Sequence, residues 1–130
     1  MAATLETVAE HVKPLQGAIT RRYTAGAAVT AGAPVYLDSS GYVQMADGSA
    51  VATNAVIGCA VQGATASGER IDVVIYGPIN NMTAATPGAI VYVSDTTGAL
   101  SESTGTKTTI IGKAESATVL LVQPQIVSLS

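Results

Sequence analysis

Short apolar runs alternate with turn-forming residues along most of the chain. From Ala18 onward, β-branched residues come in brief groups separated by Gly, Pro, Ser, Asp and Asn. Seven of these groups predict β-strands: Pro34–Leu37, Tyr42–Met45, Val56–Gln62, Arg70–Tyr76, Ala89–Val93, Thr108–Ala114 and Thr118–Val122. Strand starts that recur about every 8 to 15 residues are typical of an antiparallel sandwich or a small barrel. The pattern therefore predicts a compact, antiparallel, all-β domain.

The predicted strands are joined by recognisable turns. The run Arg70–Tyr76 has the alternation of a half-buried strand, because every second residue from Ile71 is aliphatic. The turns Asp38–Gly41 and Asp95–Gly98 each begin with an Asp, which bonds nearby backbone, and end with a Gly, which accepts positive φ. We therefore interpret both Asp residues as turn formers rather than as metal ligands.

The sequence contains an internal repeat. Two segments recur at an offset of about 55 residues: Gly32–Asp38 as Gly88–Asp95, and Val56–Ala60 as Ile110–Ala114. Neither half can bury an apolar face alone, so we expect two pseudo-repeats, at about 31–76 and 87–122, to pack as one β unit. Chance similarity between Gly- and Val-rich segments is the alternative.

The two ends of the chain differ from this β region. Residues 1–17 and 124–130 are predicted to form extended arms on a single β domain, residues 18–123. Apolar residues of the first arm have helical spacing, Thr7 begins a capping box, and Pro14 ends any helix. Both arms are typical of segments that become ordered against a neighbour, although frayed termini are equally common.

Composition indicates that part of the surface is covered by another subunit. Only 12% of residues are charged while 48% are hydrophobic, and there is no Phe or Trp. Small side chains bury little area each, at about 25 cal/mol per Å², so a core of Val and Ala stabilises an isolated monomer weakly. We therefore expect oligomerisation.

The charge pattern argues against nucleic acid and membrane as partners. The net charge is −3, and the basic residues are scattered apart from the neighbours Arg21 and Arg22. No basic stripe is present to follow a phosphate backbone. No apolar run approaches the roughly 18 residues of a membrane helix, and the N-terminus lacks the features of a signal peptide. We expect synthesis in the cytoplasm.

The residues needed for common enzyme chemistry are scarce. His11 is the only histidine, and Cys59, the only cysteine, lies in an apolar run that favours a buried hydrophobe. Together they are too few for a zinc site, so we expect no metal, no cofactor, no catalytic residue and no enzyme activity. The acids Glu69, Asp72 and Glu115 remain for a glycosidase pair, but nothing in their spacing favours one.

Asn80 and Asn81 form the one conspicuous polar pair. One interpretation is an exposed recognition loop. The favoured interpretation is a turn in which Asn adopts left-handed backbone geometry.

Six turn-and-strand segments carry a resemblance to a known family: Ala31–Asp38, Gly41–Val43, Val56–Ala60, Gly68–Val73, Gly88–Val93 and Ile111–Ala114. In this order they resemble the capsid cement, or head decoration, proteins of tailed bacteriophages. The resemblance runs from about Tyr23 to Pro124, and its motifs are structural rather than chemical.

The resemblance implies a structural virion protein on the outer surface of the phage head. There it would stabilise contacts between capsomers of the major capsid protein. Such proteins are commonly homotrimers, although dimers occur, and the family offers no catalytic residues. We expect the arms to contact the capsid through six apolar residues: Leu5, Val8, Val12, Ile126, Val127 and Leu129.

A receptor- or glycan-binding β module of a phage fibre or spike is the alternative. Such modules usually offer aromatic platforms. Tyr36 and Tyr92 occupy equivalent repeat positions and are interpreted as core residues with a solvated hydroxyl. Tyr23, Tyr42 and Tyr76 remain as surface candidates for this alternative.

Overall fold

The protein is built from short strands joined by turns. The computed structural model describes residues 4–6, 9–47, 49, 56–103, 106 and 108–126. In chain order its strands are β1 (Thr4–Leu5), β2 (Lys13–Pro14), β3 (Ile19–Thr24), β4 (Pro34–Leu37), β5 (Val43–Met45), β6 (Val56–Ala60), β7 (Arg70–Asn80), β8 (Met82–Thr83), β9 (Ile90–Val93), β10 (Leu100–Ser101), β11 (Thr109–Ala114) and β12 (Val119–Ile126). One 3₁₀ turn, Ala9–His11, lies between β1 and β2. The all-β prediction is confirmed.

Ten of the strands form one antiparallel sheet in which a strand order occurs twice. The first half of the molecule has the order β3-β7-β6-β4-β5, and the second half has the order β7-β12-β11-β9-β10. The last part of β7 is therefore the counterpart of β3: it is the first strand of the second half, as β3 is the first strand of the first half. β2 adds to β7, while β1 and β8 form a separate two-stranded sheet.

Backbone hydrogen bonds repeat along with the strand order. The Gly32 N–H donates to the Ala60 carbonyl at 2.6 Å, and the Gly88 N–H donates to the Ala114 carbonyl at 2.7 Å. The sandwich-like architecture predicted from the repeat fits this sheet. The division into arms and domain at residues 17 and 123 stays a prediction.

β7 passes from one half to the other at Gly77. The residue has a φ of 111°, and a Cβ there would lie 2.6 Å from the Cα of Ala18. Glycine is required at this point because any other side chain is both strained and too large. Beyond it, the Pro78 carbonyl accepts a hydrogen bond from the Leu15 N–H at 2.9 Å.

Two groups of buried side chains form the core. One lies inside the first half and includes Val35, Ala60 and Val73. The second group lies between the two halves. In it, Cys59 and Val74 on the opposite face of the first half pack with Ile111 and Val122 of the second half. Because strand residues alternate between faces, the sheet of the first half is buried on both sides.

Glycines permit the closest strand contacts at matching places in the two halves. A Cβ on Gly58 would overlap the Val74 carbonyl, and a Cβ on Gly112 would overlap the Leu121 carbonyl. These two glycines are equivalent in the repeat, so both halves depend on the same backbone approach.

Asp38 and Asp95, which were both predicted to form turns, make different hydrogen bonds in the structure. Asp38 is a turn former as predicted, because its carboxylate accepts hydrogen bonds from the N–H groups of Ser40 and Tyr42. The Asp95 carboxylate instead accepts from the N–H and hydroxyl of Thr106, at 2.8 and 2.7 Å. Asp95 therefore ties its turn to the loop before β11.

The helical spacing of the N-terminal segment does not correspond to an α-helix in the described residues. β1 pairs with β8 in the registers Thr4 to Thr83 and Leu5 to Met82, and a single 3₁₀ turn follows. A helix of this length gains too few internal hydrogen bonds to be stable alone, whereas strand pairing and core contacts are available to the same residues.

Candidate functional site

The first predicted contact segment lies against the protein's own core. Leu5 is half-buried and packs on the cluster that joins the two halves, and Val12 is buried in that cluster. Val8 lies outside the described residues. In this chain, Leu5 and Val12 therefore stabilise the fold, and their predicted contact with the capsid stays a prediction.

Asn80 and Asn81 hold this segment in place. The Asn80 amide donates to the His11 carbonyl at 2.8 Å, and the Asn81 carbonyl accepts from the Glu6 N–H at 2.8 Å. The Asn81 amide also donates to the Gly32 carbonyl at 3.0 Å. Asn81 is fully buried and neither Asn has positive φ. Both earlier interpretations, the exposed loop and the left-handed turn, were therefore wrong.

The second predicted contact segment is described only in part. The backbone of Ile126 belongs to β12 and pairs with Thr109 of β11. The side chain of Ile126, and Val127 and Leu129 altogether, lie outside the described residues, so their contact role stays a prediction.

An apolar outer face on the second half was missed from the sequence. We define the outer face as Ile90, Ile110, Lys113, Leu121 and Gln123. Ile90 is 41% exposed, and all of these residues except Leu121 line a shallow depression together with Gly112. Lys113 pairs in register with both Ile90 and Leu121. The available signal was a run of consecutive apolar residues in each of β9 and β11, Ile90-Val91 and Ile110-Ile111, which places apolar side chains on both faces of the sheet.

The outer face is the counterpart of a covered face in the first half. By the repeat, Ile110, Lys113 and Leu121 correspond to Val56, Cys59 and Val74. The latter three are buried in the cluster that joins the halves, so the second half covers them. Among the described residues, no further unit covers the outer face of the second half.

Three acidic side chains are engaged in structural bonds. Glu69 accepts from the N–H groups of Thr65 and Ala66 and from the Thr65 hydroxyl, and these bonds lower the pKa of its carboxyl. The Gln44 amide, at 2.7 Å, is the main cause that lowers the pKa of Asp38. Asp72 pairs with Arg22 at 3.2 Å. These acids hold turns and strands together.

The two other reactive residue types are also placed. Cys59 is buried as predicted, and burial raises the pKa of its thiol, which keeps it protonated. His11 is exposed, with its Nδ1 3.6 Å from a Glu6 carboxylate oxygen. In the described residues, no three His, Cys, Asp or Glu side chains come together in a group suited to a metal ion.

The exposure of the tyrosines follows the prediction at Tyr36, Tyr42 and Tyr76 but not at Tyr23. Tyr36 packs on the core cluster, whereas Tyr42 and Tyr76 are 42% and 46% exposed. Tyr23 packs against the core of the first half. No helix in the described part of the chain is long and apolar enough to span a membrane.

Comparison with protein families decides between the readings of this β domain. The family model described as phage cement protein matches residues 3–75. The chain belongs to the phage cement protein family. In this cement protein the match covers the N-terminal segment and the first half up to β7, while the second half repeats the same strand order beyond it. A search of curated proteins gives no match.

Proposed function

We propose that this protein is a capsid decoration protein that binds the outer surface of the phage head and stabilises contacts between capsomers of the major capsid protein. The family match over residues 3–75 carries the proposal. A cement protein has a structural role in the capsid, and its location is the virion.

The architecture suits a bracing role. Both ends of the described chain are held by strand pairing, β1 with β8 in the small sheet and β12 with β7 and β11 in the large one. A protein tied in this way transmits force between its contacts without unravelling at a terminus. Many modest contacts repeated over a shell then give high avidity.

The proposal includes self-association as a homotrimer, with a dimer as the alternative. The outer face supports it, because an apolar sheet surface with a single charged side chain, Lys113, is suited to burial. We further infer that the protein is not an enzyme, because Glu69 and Asp72 are used in turns and ion pairs.

The decisive experiment is reconstitution on heads assembled without this protein. Purified protein is added to such heads, and bound copies are counted by electron microscopy, with head survival on heating measured in parallel. We expect saturable binding at regular outer positions and heads that survive higher temperature. Absence of binding to intact heads would overturn the proposal.

A glycan-binding module is the second candidate, and the exposed rings of Tyr42 and Tyr76 favour it. Its test is a glycan array with the Tyr42→Ala and Tyr76→Ala variants as controls. Micromolar binding that both variants lose supports this candidate, whereas an array without signal removes it.

A further inference from the structure

β3 is an open edge of the sheet. It pairs with β7 from Ile19 to Thr24, and β6 occupies the other side of β7 at Cys59 and Ala60. No other strand of the described chain pairs with β3. Alternate N–H and C=O groups of β3 therefore point to solvent, where they can pair with a further strand.

The corresponding edge in the second half is already occupied. There the last part of β7 takes the place of β3, and β2 lies along its far side, with Lys13 opposite Asn80 and Pro14 opposite Ile79. The fold thus shows which kind of segment this edge accepts. It accepts a short extended segment in antiparallel pairing.

Positive charge is concentrated at the open edge. The chain has 6 basic residues and a net charge of −3. Three of the basic residues lie on β3 and at the start of β7: Arg21, Arg22 and Arg70.

Part of this charge, that of Arg21, is available to a partner. Arg22 is paired with Asp72, and Arg70 donates to the Thr24 hydroxyl at 3.5 Å. Arg21 is exposed and has no ion pair among the described residues. Such an edge attracts carboxylates and repels the same edge of a second copy.

An apolar pair lies at the start of the same strand. Ile19 and Tyr76 are opposite each other in the register of β3 and β7 and are 53% and 46% exposed. Tyr and Arg side chains next to an apolar contact are the residues that most often dominate binding energy at protein interfaces.

We propose that β3 binds an extended, carboxylate-bearing segment of a partner protein, which joins the sheet as an additional strand. Arg21 and Arg22 pair with its acidic side chains, and Ile19 with Tyr76 receives an apolar one. The inference rests on the proposed function only for the identity of the partner, a protein of the capsid shell.

The test compares Arg21→Glu with Glu115→Arg, a charge reversal of equal size at the exposed turn between β11 and β12, away from both the β3 edge and the outer face. Binding to heads assembled without this protein is measured for the wild type and both variants. We expect Arg21→Glu to weaken binding about tenfold or more, and Glu115→Arg to change it by less than about twofold. Tyr76→Ser is a second edge variant and should also weaken binding.

A peptide assay separates this inference from the proposed function. An alternating Glu-Val peptide is titrated into the labelled wild-type protein, with a Lys-Val peptide of equal length as the control. We expect amide shifts at residues 19–24 with the acidic peptide alone. If the wild type fails to bind heads but these shifts appear, the proposed function is wrong and the docking edge stands.

Two results would overturn the inference. One is wild-type head binding that neither Arg21→Glu nor Tyr76→Ser weakens, with no shifts at residues 19–24. The other is self-association of Arg21→Glu through β3 without loss of head binding, which would show that the arginines only keep copies of this chain apart.

Discussion

At the scale of single residues, Gly58 and Gly112 show what the repeat preserves. In the sequence they are only equivalent positions in two similar apolar runs. In the structure each leaves room for the carbonyl of a neighbouring strand, that of Val74 or of Leu121. Glycine is required at both positions because a side chain would not fit. The backbone conformation does not require it, since neither residue has positive φ.

We predict that Gly112→Ala lowers the free energy of unfolding by about 2–3 kcal/mol or prevents folding, because the backbone of β12 must move. The control is Gly88→Ala, where a Cβ meets open space but φ is 84°. It should cost only about 1 kcal/mol. Urea titration followed by circular dichroism measures both variants, and equal losses would contradict the steric account.

Glu69 makes stability depend on pH in the acid range. Three hydrogen bonds lower the pKa of its carboxyl in the folded protein below the ordinary 4.5. The unfolded chain therefore binds more protons over this range, so the contribution is present above about pH 4.5 and is lost as pH falls through the lowered folded pKa.

Glu69→Gln should accordingly lower the Tm at pH 7 and lose less further stability than the wild type between about pH 5 and pH 3. Glu115→Gln, at an exposed position without side-chain hydrogen bonds among the described residues, is the control and should follow the wild type. Thermal unfolding across this pH range is the measurement. A wild-type acid slope in Glu69→Gln would refute the account.

At the scale of elements, the sequence predicted the strands that have an apolar pattern and missed the others. All seven predicted strands are present, because each buries at least one face. β3 was missed since an edge strand with exposed Thr20, Arg21 and Arg22 has no apolar alternation. The end of β7 was missed because Gly77 and Pro78 are typical of a break.

The conformation of the N-terminal segment was not evident from the sequence, because tertiary contacts determine it. Helical spacing of Leu5 and Val12 was a real pattern, but these residues are also spaced to reach the core from an extended chain. Asn80 and Asn81 supply hydrogen bonds that no local pattern reveals. The residues that would contact a partner could not be predicted reliably either, because this sequence carries no information about the partner's surface.

This segment should therefore contribute to stability. We predict that Val12→Ala lowers the free energy of unfolding by about 2 kcal/mol, since a buried side chain is truncated. His11→Ala is the control, because that side chain is exposed and Asn80 bonds its backbone carbonyl; it should change stability by less than about 0.5 kcal/mol. Chemical denaturation measures both, and a neutral Val12→Ala would show that the segment is a free arm.

At the scale of the whole molecule, the two halves interlock rather than stand side by side. They share β7, and the first half needs the second to cover Cys59 and Val74. The family match ends at residue 75, before β7 is complete. The stable folding unit is consequently larger than the segment that identifies the family.

We therefore predict that a fragment of residues 1–76 does not fold alone. It retains the strands β3 to β6 but exposes the face that contains Val56, Cys59 and Val74, and it lacks the last part of β7, to which β12 pairs. An uncovered apolar face of this kind leads to aggregation or to an expanded chain. The measurement is size-exclusion chromatography with amide dispersion in a nuclear magnetic resonance spectrum, and the full chain is the control.

Adding separately produced residues 77–130 should restore dispersion if the halves interlock as described. A monomeric fragment with full dispersion of its own would show that the first half is an independent domain and that the second half was added to a unit already stable.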